Sequence, residues 1–186
     1  PDTGKKFVKA RLTVKGFADL QGNTVETYAG TTSRWGQKLV CSMAAIQRWK
    51  LFSADVGTAF LQGMTFDELH RVTGEPLRVV SFVPPTGSEH FFKELPDQGG
   101  LDFSTEVLQL LKPGFGLKDA PRAWRLALDK ALKDSGGQPL IVDRQIYIWY
   151  RDSRCSAIVS THVDDLKGCG EENTLKHIVA KLESMF

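Results

Sequence analysis

The sequence predicts an α+β domain in which an antiparallel sheet is covered by helices on one face. Three observations carry that expectation. Apolar residues fall near helical spacing over 35–49 and give way to a short β-favouring run at 51–56. Asp119 and Pro121 stand ahead of a second helical stripe, which Gly136 and Gly137 close. Two strand-like runs, 145–150 and 155–163, then lie back to back before a final amphipathic stretch. Helix, strand, helix, hairpin and helix in that order bury their apolar faces by layering helices on a sheet.

Taken in order, residues 7–15 alternate Val8, Ala10, Leu12 and Val14 with Lys9, Arg11, Thr13 and Lys15. Period two predicts a half-buried strand. Its cationic side serves equally well as a plain solvated face. Gly, Asn and Thr mark 17–34 as loop and turn. In the first helix Leu39, Met43, Ile46 and Trp49 form the predicted apolar stripe. Residues 64–104 are the least patterned: a strand over 77–83 stopped by Pro84-Pro85, then a loop at Gly99-Gly100. His70 and His90 lack the short ligand intervals of a structural zinc site. A strand over 106–112 leads into a turn. In the helix that follows, Asp119 is the predicted N-cap and Pro121 occupies the first turn, where its missing N–H costs nothing. Trp124, Leu128, Ala131 and Leu132 share its apolar face. Arg151-Asp152-Ser153-Arg154 is a four-residue hairpin loop. The closing helix, 171–186, puts Leu175, Ile178, Val179, Leu182 and Phe186 on one side.

Chemistry concentrates in Ser160 to Gly168. The apolar run Ala157-Ile158-Val159 leads to His162-Val163-Asp164-Asp165. A strand is expected to stop near Val163, turn at the two aspartates and return from Leu166. Paired Asp is also ordinary turn chemistry. A third carboxylate, Asp55, ends the run at 51–56 just before Gly57. Two distant strand ends that each present Asp make a layout suited to two-metal phosphoryl transfer, with metals about 3.5–4 Å apart. Oxygen ligands suit Mg²⁺, which keeps waters and substrate phosphates as its remaining ligands.

The segments 55–63 (Asp-Val-Gly-Thr-Ala-Phe-Leu-Gln-Gly), 115–124 (Phe-Gly-Leu-Lys-Asp-Ala-Pro-Arg-Ala-Trp) and 162–165 (His-Val-Asp-Asp) resemble the three central motifs of copia-type retrotransposon reverse transcriptases, in the family's order. Lys9-Ala10-Arg11-Leu12 with Lys15-Gly16-Phe17 resembles its opening fingers motif. The resemblance runs from about Phe7 to Phe186. It implies a polymerase palm-and-fingers fold with the thumb missing: fingers at about 1–50 and 64–104, palm at about 51–63 and 105–186. It also implies RNA-directed DNA polymerase activity, adding dNTPs to a primer on an RNA or DNA template with two Mg²⁺ ions, or Mn²⁺ in their place. Asp55, Asp164 and Asp165 are then the catalytic carboxylates, and with the Val56 carbonyl they hold the metals. Arg11, Lys9, Phe60 and Gly116 meet the incoming nucleotide, with Phe60 facing its ribose. Lys15, Lys118 and His162 lie along the nucleic acid. By residue type alone Phe60 reads first as a core aromatic, since Phe is most often buried.

Three positions depart from the family. His162 and Phe115 stand where Tyr is usual, and Asp119 where Gln is usual. They open an alternative, a decayed element copy that keeps the fold and binds nucleic acid without copying it. A two-metal nuclease is a third reading, against which segment 115–124 stands.

Composition bounds the rest. The 186 residues are 41% hydrophobic and 25% charged with a net charge of +2, so any nucleic-acid attraction must be local. Cys41, Cys155 and Cys169 form no C-x-x-C pair, which points to a reduced intracellular chain, in a cytoplasmic particle or the nucleus. No apolar run approaches the ~20 residues of a membrane span, so no membrane partner is expected. The opening Pro1-Asp2-Thr3 predicts a piece of a longer polypeptide. By resemblance that is a polyprotein with integrase upstream and RNase H downstream.

Overall fold

The computed structural model describes residues 11–88, 90, 91, 102 and 104–186. In chain order they form α1 (Arg34–Gln47), β1 (Lys50–Asp55), α2 (Phe66–Thr73), β2 (Val80–Phe82), β3 (Leu108–Leu110), α3 (Ala120–Asp134), β4 (Gln138–Pro139), β5 (Ile146–Arg151), β6 (Arg154–His162), β7 (Asp165–Gly170) and α4 (Glu172–Met185). Short 3₁₀ turns lie at Gly16–Ala18, Leu20–Asn23 and Ala59–Gln62. One antiparallel sheet runs β1-β7-β6-β5-β4, and β2 pairs with β3 apart from it. The mixed helix and antiparallel sheet is the predicted α+β class.

The sheet is covered on both faces, not on one as expected. Tyr147, Trp149, Ala157, Val159 and Leu166 pack against Trp124, Leu128, Ala131 and Leu132 of α3 and Ile178 and Leu182 of α4. The intervening residues Ile146, Ile158 and Cys169 pack against Val40 and Ala44 of α1. Strands apolar at both parities have two faces to bury. That signal stood in Ile146-Tyr147-Ile148-Trp149 from the start. Of the predicted stripe of the first helix, Leu39, Met43 and Trp49 are half-buried against this core, while Ile46 is 71% exposed and the most buried side is Gly36, Val40 and Ala44. Small residues win because the helix lies close. A Cβ on Gly36 would meet Ile146 Cδ1 at 2.5 Å.

Several boundaries move. Arg11–Lys15 forms no strand, and 7–10 lie outside the described residues. The predicted strands at 77–83 and 106–112 shrink to the three-residue β2 and β3. The short helix α2 went unpredicted, although Thr65 and Glu68 form a capping box at its start. Arg151 and Arg154 pair within the ladder, so the hairpin loop is the two residues Asp152 and Ser153 rather than four. Both have positive φ, 49° and 62°, the pattern of a I′ turn.

Phe66, Val80 and Leu117 close a second, smaller core with Val14, Leu69 and Leu110 around them. It joins the sheet-bearing part through the start of α3. Asp119 precedes that helix without capping it through its side chain. Its carboxylate accepts instead from Arg78, which also donates to Asp19. The expected border between fingers and palm is crossed twice: α1 lies on the five-stranded sheet, and β2 pairs with β3.

Candidate active site

The turn between β6 and β7 differs from the expected one. His162 and Asp165 pair in the ladder, so the turn is Val163-Asp164 and Asp165 begins the return strand. Val163 takes φ 59° and Asp164 does not share the positive sign. Positive φ at the first position alone is the II′ pattern, where Gly is the usual occupant. A β-branched residue there is strained by about 1–3 kcal/mol. Two contacts from other motifs hold it. The buried Trp124 indole donates to the Val163 carbonyl at 2.7 Å. The Val56 N–H donates to the Asp164 carbonyl at 3.1 Å.

That second bond fixes the register of the carboxylates. Asp55 and Asp165 are directly opposed in the β1–β7 ladder, and the Val56–Asp164 bond makes them a non-hydrogen-bonded pair. Side chains of such a pair leave the same face with Cβ atoms about 4.5–5.5 Å apart. Like charges so placed repel. The Lys167 ammonium, 3.2 Å from Asp165, offsets part of this. Asp55 and Asp164 are exposed. Asp55, Val56, Asp164, Asp165 and the exposed His162 thus gather at one end of the sheet. Among the described residues no three His, Cys, Asp or Glu side chains yet stand in one metal-holding group. The donor set is nonetheless all oxygen, and its opposed charges are those a divalent cation relieves.

A second group forms around Phe115. The Arg11 guanidinium lies over its ring, 5.5 Å from the centroid, and the Phe60 ring tilts against it at 5.9 Å. Phe60 is half-buried and also touches the main core. Gly116, at φ 97°, sits where a Cβ would meet the Val14 carbonyl oxygen at 2.0 Å, so close packing of the chain on itself already requires the bare backbone. Lys15 and Lys118 are exposed. Lys9 lies outside the described residues.

Two further charged groups tie neighbouring segments together. Arg122 binds Glu75 at 2.6 Å and Glu26 at 3.1 Å. The hydrogen bond from Arg122 holds the Glu75 carboxyl below its usual range, against the opposing pull of burial. At the end of β6, the N–H of Thr32 donates to the Thr161 carbonyl at 3.1 Å. Asp143 anchors this segment. Burial pushes its carboxyl up, but bonds from Ser33, Gln145 and Thr32 outweigh that and hold it below the ordinary value.

With this geometry in hand, comparison with known proteins decides the family. The family described as "Reverse transcriptase (RNA-dependent DNA polymerase)" matches residues 2–186. The chain belongs to this reverse transcriptase family. It is 29% identical over 96% of its length to the "Retrovirus-related Pol polyprotein from transposon RE2" of Arabidopsis thaliana. It is 26% identical over 91% of its length to the corresponding protein from transposon RE1 of that plant. It is 27% identical over 94% of its length to the one from transposon TNT 1-94 of Nicotiana tabacum. The chain covers 11%, 10% and 11% of these relatives, about a tenth of each. No solved structure matches it. These matches bear out the copia-type resemblance drawn from the motifs.

Within this reverse transcriptase domain, two departures have physical partners. Asp119, in place of Gln, accepts from the buried Arg78. Phe115, in place of Tyr, is in contact with both Arg11 and Phe60. The sequence had offered Trp124 only as a core residue, and its bond to Val163 was missed. A lone indole in an apolar stripe gives no hint of its partner, although a buried Trp N–H normally has one.

Proposed function

We propose that this domain is the RNA-directed DNA polymerase of a copia-like retrotransposon polyprotein, transferring dNTPs to a primer 3′-hydroxyl on an RNA or DNA template. One observation supports this best. Both carbonyls flanking the Asp164 Cα are bound by other motifs, one through Trp124 and one through Val56 beside Asp55. Three separate motifs are thereby tied at the backbone on either side of one carboxylate-bearing residue, the support a preorganised site requires.

Asp55, Asp164 and Asp165, with the Val56 carbonyl, would hold two Mg²⁺ or Mn²⁺ ions. Bound there, such a pair supplies charge neutralisation on the triphosphate and activates the attacking hydroxyl. Arg11 places positive charge where phosphate charge develops. Phe60 offers a planar ring without a hydrogen-bonding group, which excludes a ribose 2′-hydroxyl by sterics. Exposed Lys15, Lys118 and His162 provide contacts for the template–primer. The integrase and RNase H modules and the cellular compartment belong to the whole polyprotein and are carried here as proposals.

Primer extension by the full-length protein is the test. Asp164→Asn is expected to abolish extension while template–primer binding stays close to the parent's. Retained extension refutes the assignment. Phe60→Val is expected to admit ribonucleotides with deoxynucleotide use only modestly impaired. Equal loss of both substrates makes Phe60 a core residue.

A further inference from the structure

We propose that Trp124 is a positioning residue for Asp164, locking the central peptide of the Val163–Asp164 turn in one orientation beside the carboxylate. The proposal rests on the polymerase reading above. That peptide contributes the Val163 carbonyl and the Asp164 N–H. Two-residue hairpin turns come as I′ or II′, which differ by a flip of this peptide. I′ takes positive φ at both residues, II′ at the first only. Here Val163 has φ 59° and Asp164 does not share it, so the peptide stands in the II′ orientation.

The turn residues do not select that orientation themselves. II′ favours Gly at the first position, and Val163 has the β-branched side chain that suits it least. Asp accepts the left-handed region more readily than most residues, so a flip to I′ would cost Asp164 little. The flip would turn the Val163 carbonyl and the Asp164 N–H to the opposite sides of the turn, changing the polar groups that flank the Asp164 side chain. What opposes it is Trp124. Its Nε1–H donates to the Val163 oxygen at 2.7 Å from a side chain that is 1% exposed. A flip would leave that donor buried and unpaired, which is costlier than losing an exposed bond. The ring is itself held edge-on by Phe186, 4.9 Å between centroids. The turn at Asp152-Ser153 has positive φ at both positions, as the I′ form requires.

Trp124→Phe keeps a buried ring and removes the donor. In the ¹³C-labelled chain, the Cα and carbonyl shifts of Asp164 should move toward left-handed values. In the full-length protein, kcat for primer extension should fall about 10–100-fold with the KM for dNTP unchanged. Adding Val163→Gly, which favours II′ unaided, should return both the shifts and kcat. A purely structural role predicts a loss of stability with the Asp164 shifts unmoved and with any fall in kcat not returned by Val163→Gly, and that result overturns the proposal. If Trp124→Phe does not fold, β-(3-benzothienyl)alanine at position 124 replaces N–H by S in the same bicyclic outline, and the same readouts apply. A parent protein that extends no primer counts against the polymerase reading, while the shifts still decide the tether.

Discussion

The β5–β6 and β6–β7 connections are both two residues long, in adjacent hairpins of one sheet, and their conformations have different origins. Asp152 and Ser153 both take positive φ in an exposed I′ turn. Asp and Ser are small and polar, and the connection follows from local preference and strand twist. Val163 and Asp164 adopt a form that Val disfavours, and two distant segments hold it there. Strain that is kept in place by the surroundings is expected where a side chain must be aimed. The difference teaches where to look for function: at the turn whose geometry its own residues do not explain.

Glycine scanning of the two turns sharpens this contrast. Val163→Gly removes about 1–3 kcal/mol of strain and adds about 0.5–1 kcal/mol of unfolded-state entropy. A net gain of about 1 kcal/mol is expected, raising Tm by about 2–4 °C in a chain of this size. Ser153→Gly should give about half as much, since Ser tolerates the left-handed region better than Val. Thermal denaturation of both variants checks the order. A destabilised Val163→Gly beside a stabilised Ser153→Gly would mean that the Val163–Asp164 turn is unstrained.

The hairpin and the motif carboxylates were legible in the sequence because they are local. Alternation in 155–163 and the break at Asp164 place a strand and a turn within a residue or two. Which residues form the turn was not legible, because it depends on His162 pairing with Asp165 across β6 and β7. Arg78–Asp119 and Trp124–Val163 join residues far apart in sequence, and no spacing rule reaches across such gaps. The apolar stripe of α1 was legible in part. Leu39 and Met43 pack half-buried against the core, but the most buried side is Gly36, Val40 and Ala44, where close approach to Ile146 favours small residues, and Ile46 faces out. By contrast, α2 was readable from Thr65 and Glu68 and was passed over because the apolar pattern around it is weak.

β1 and β7 set Asp55 and Asp165 against each other, with Asp164 in the adjoining turn, and the proposed two-metal chemistry requires these three carboxylates to take up a cation together. Titrating Mn²⁺ into the ¹⁵N-labelled chain and following amide broadening tests it most directly. Broadening should centre on residues 55, 56 and 163–165, and Asp55→Asn should weaken it at 163–165 as well as at its own position. Broadening centred elsewhere, or a response at 163–165 that Asp55→Asn leaves unchanged, would contradict the account.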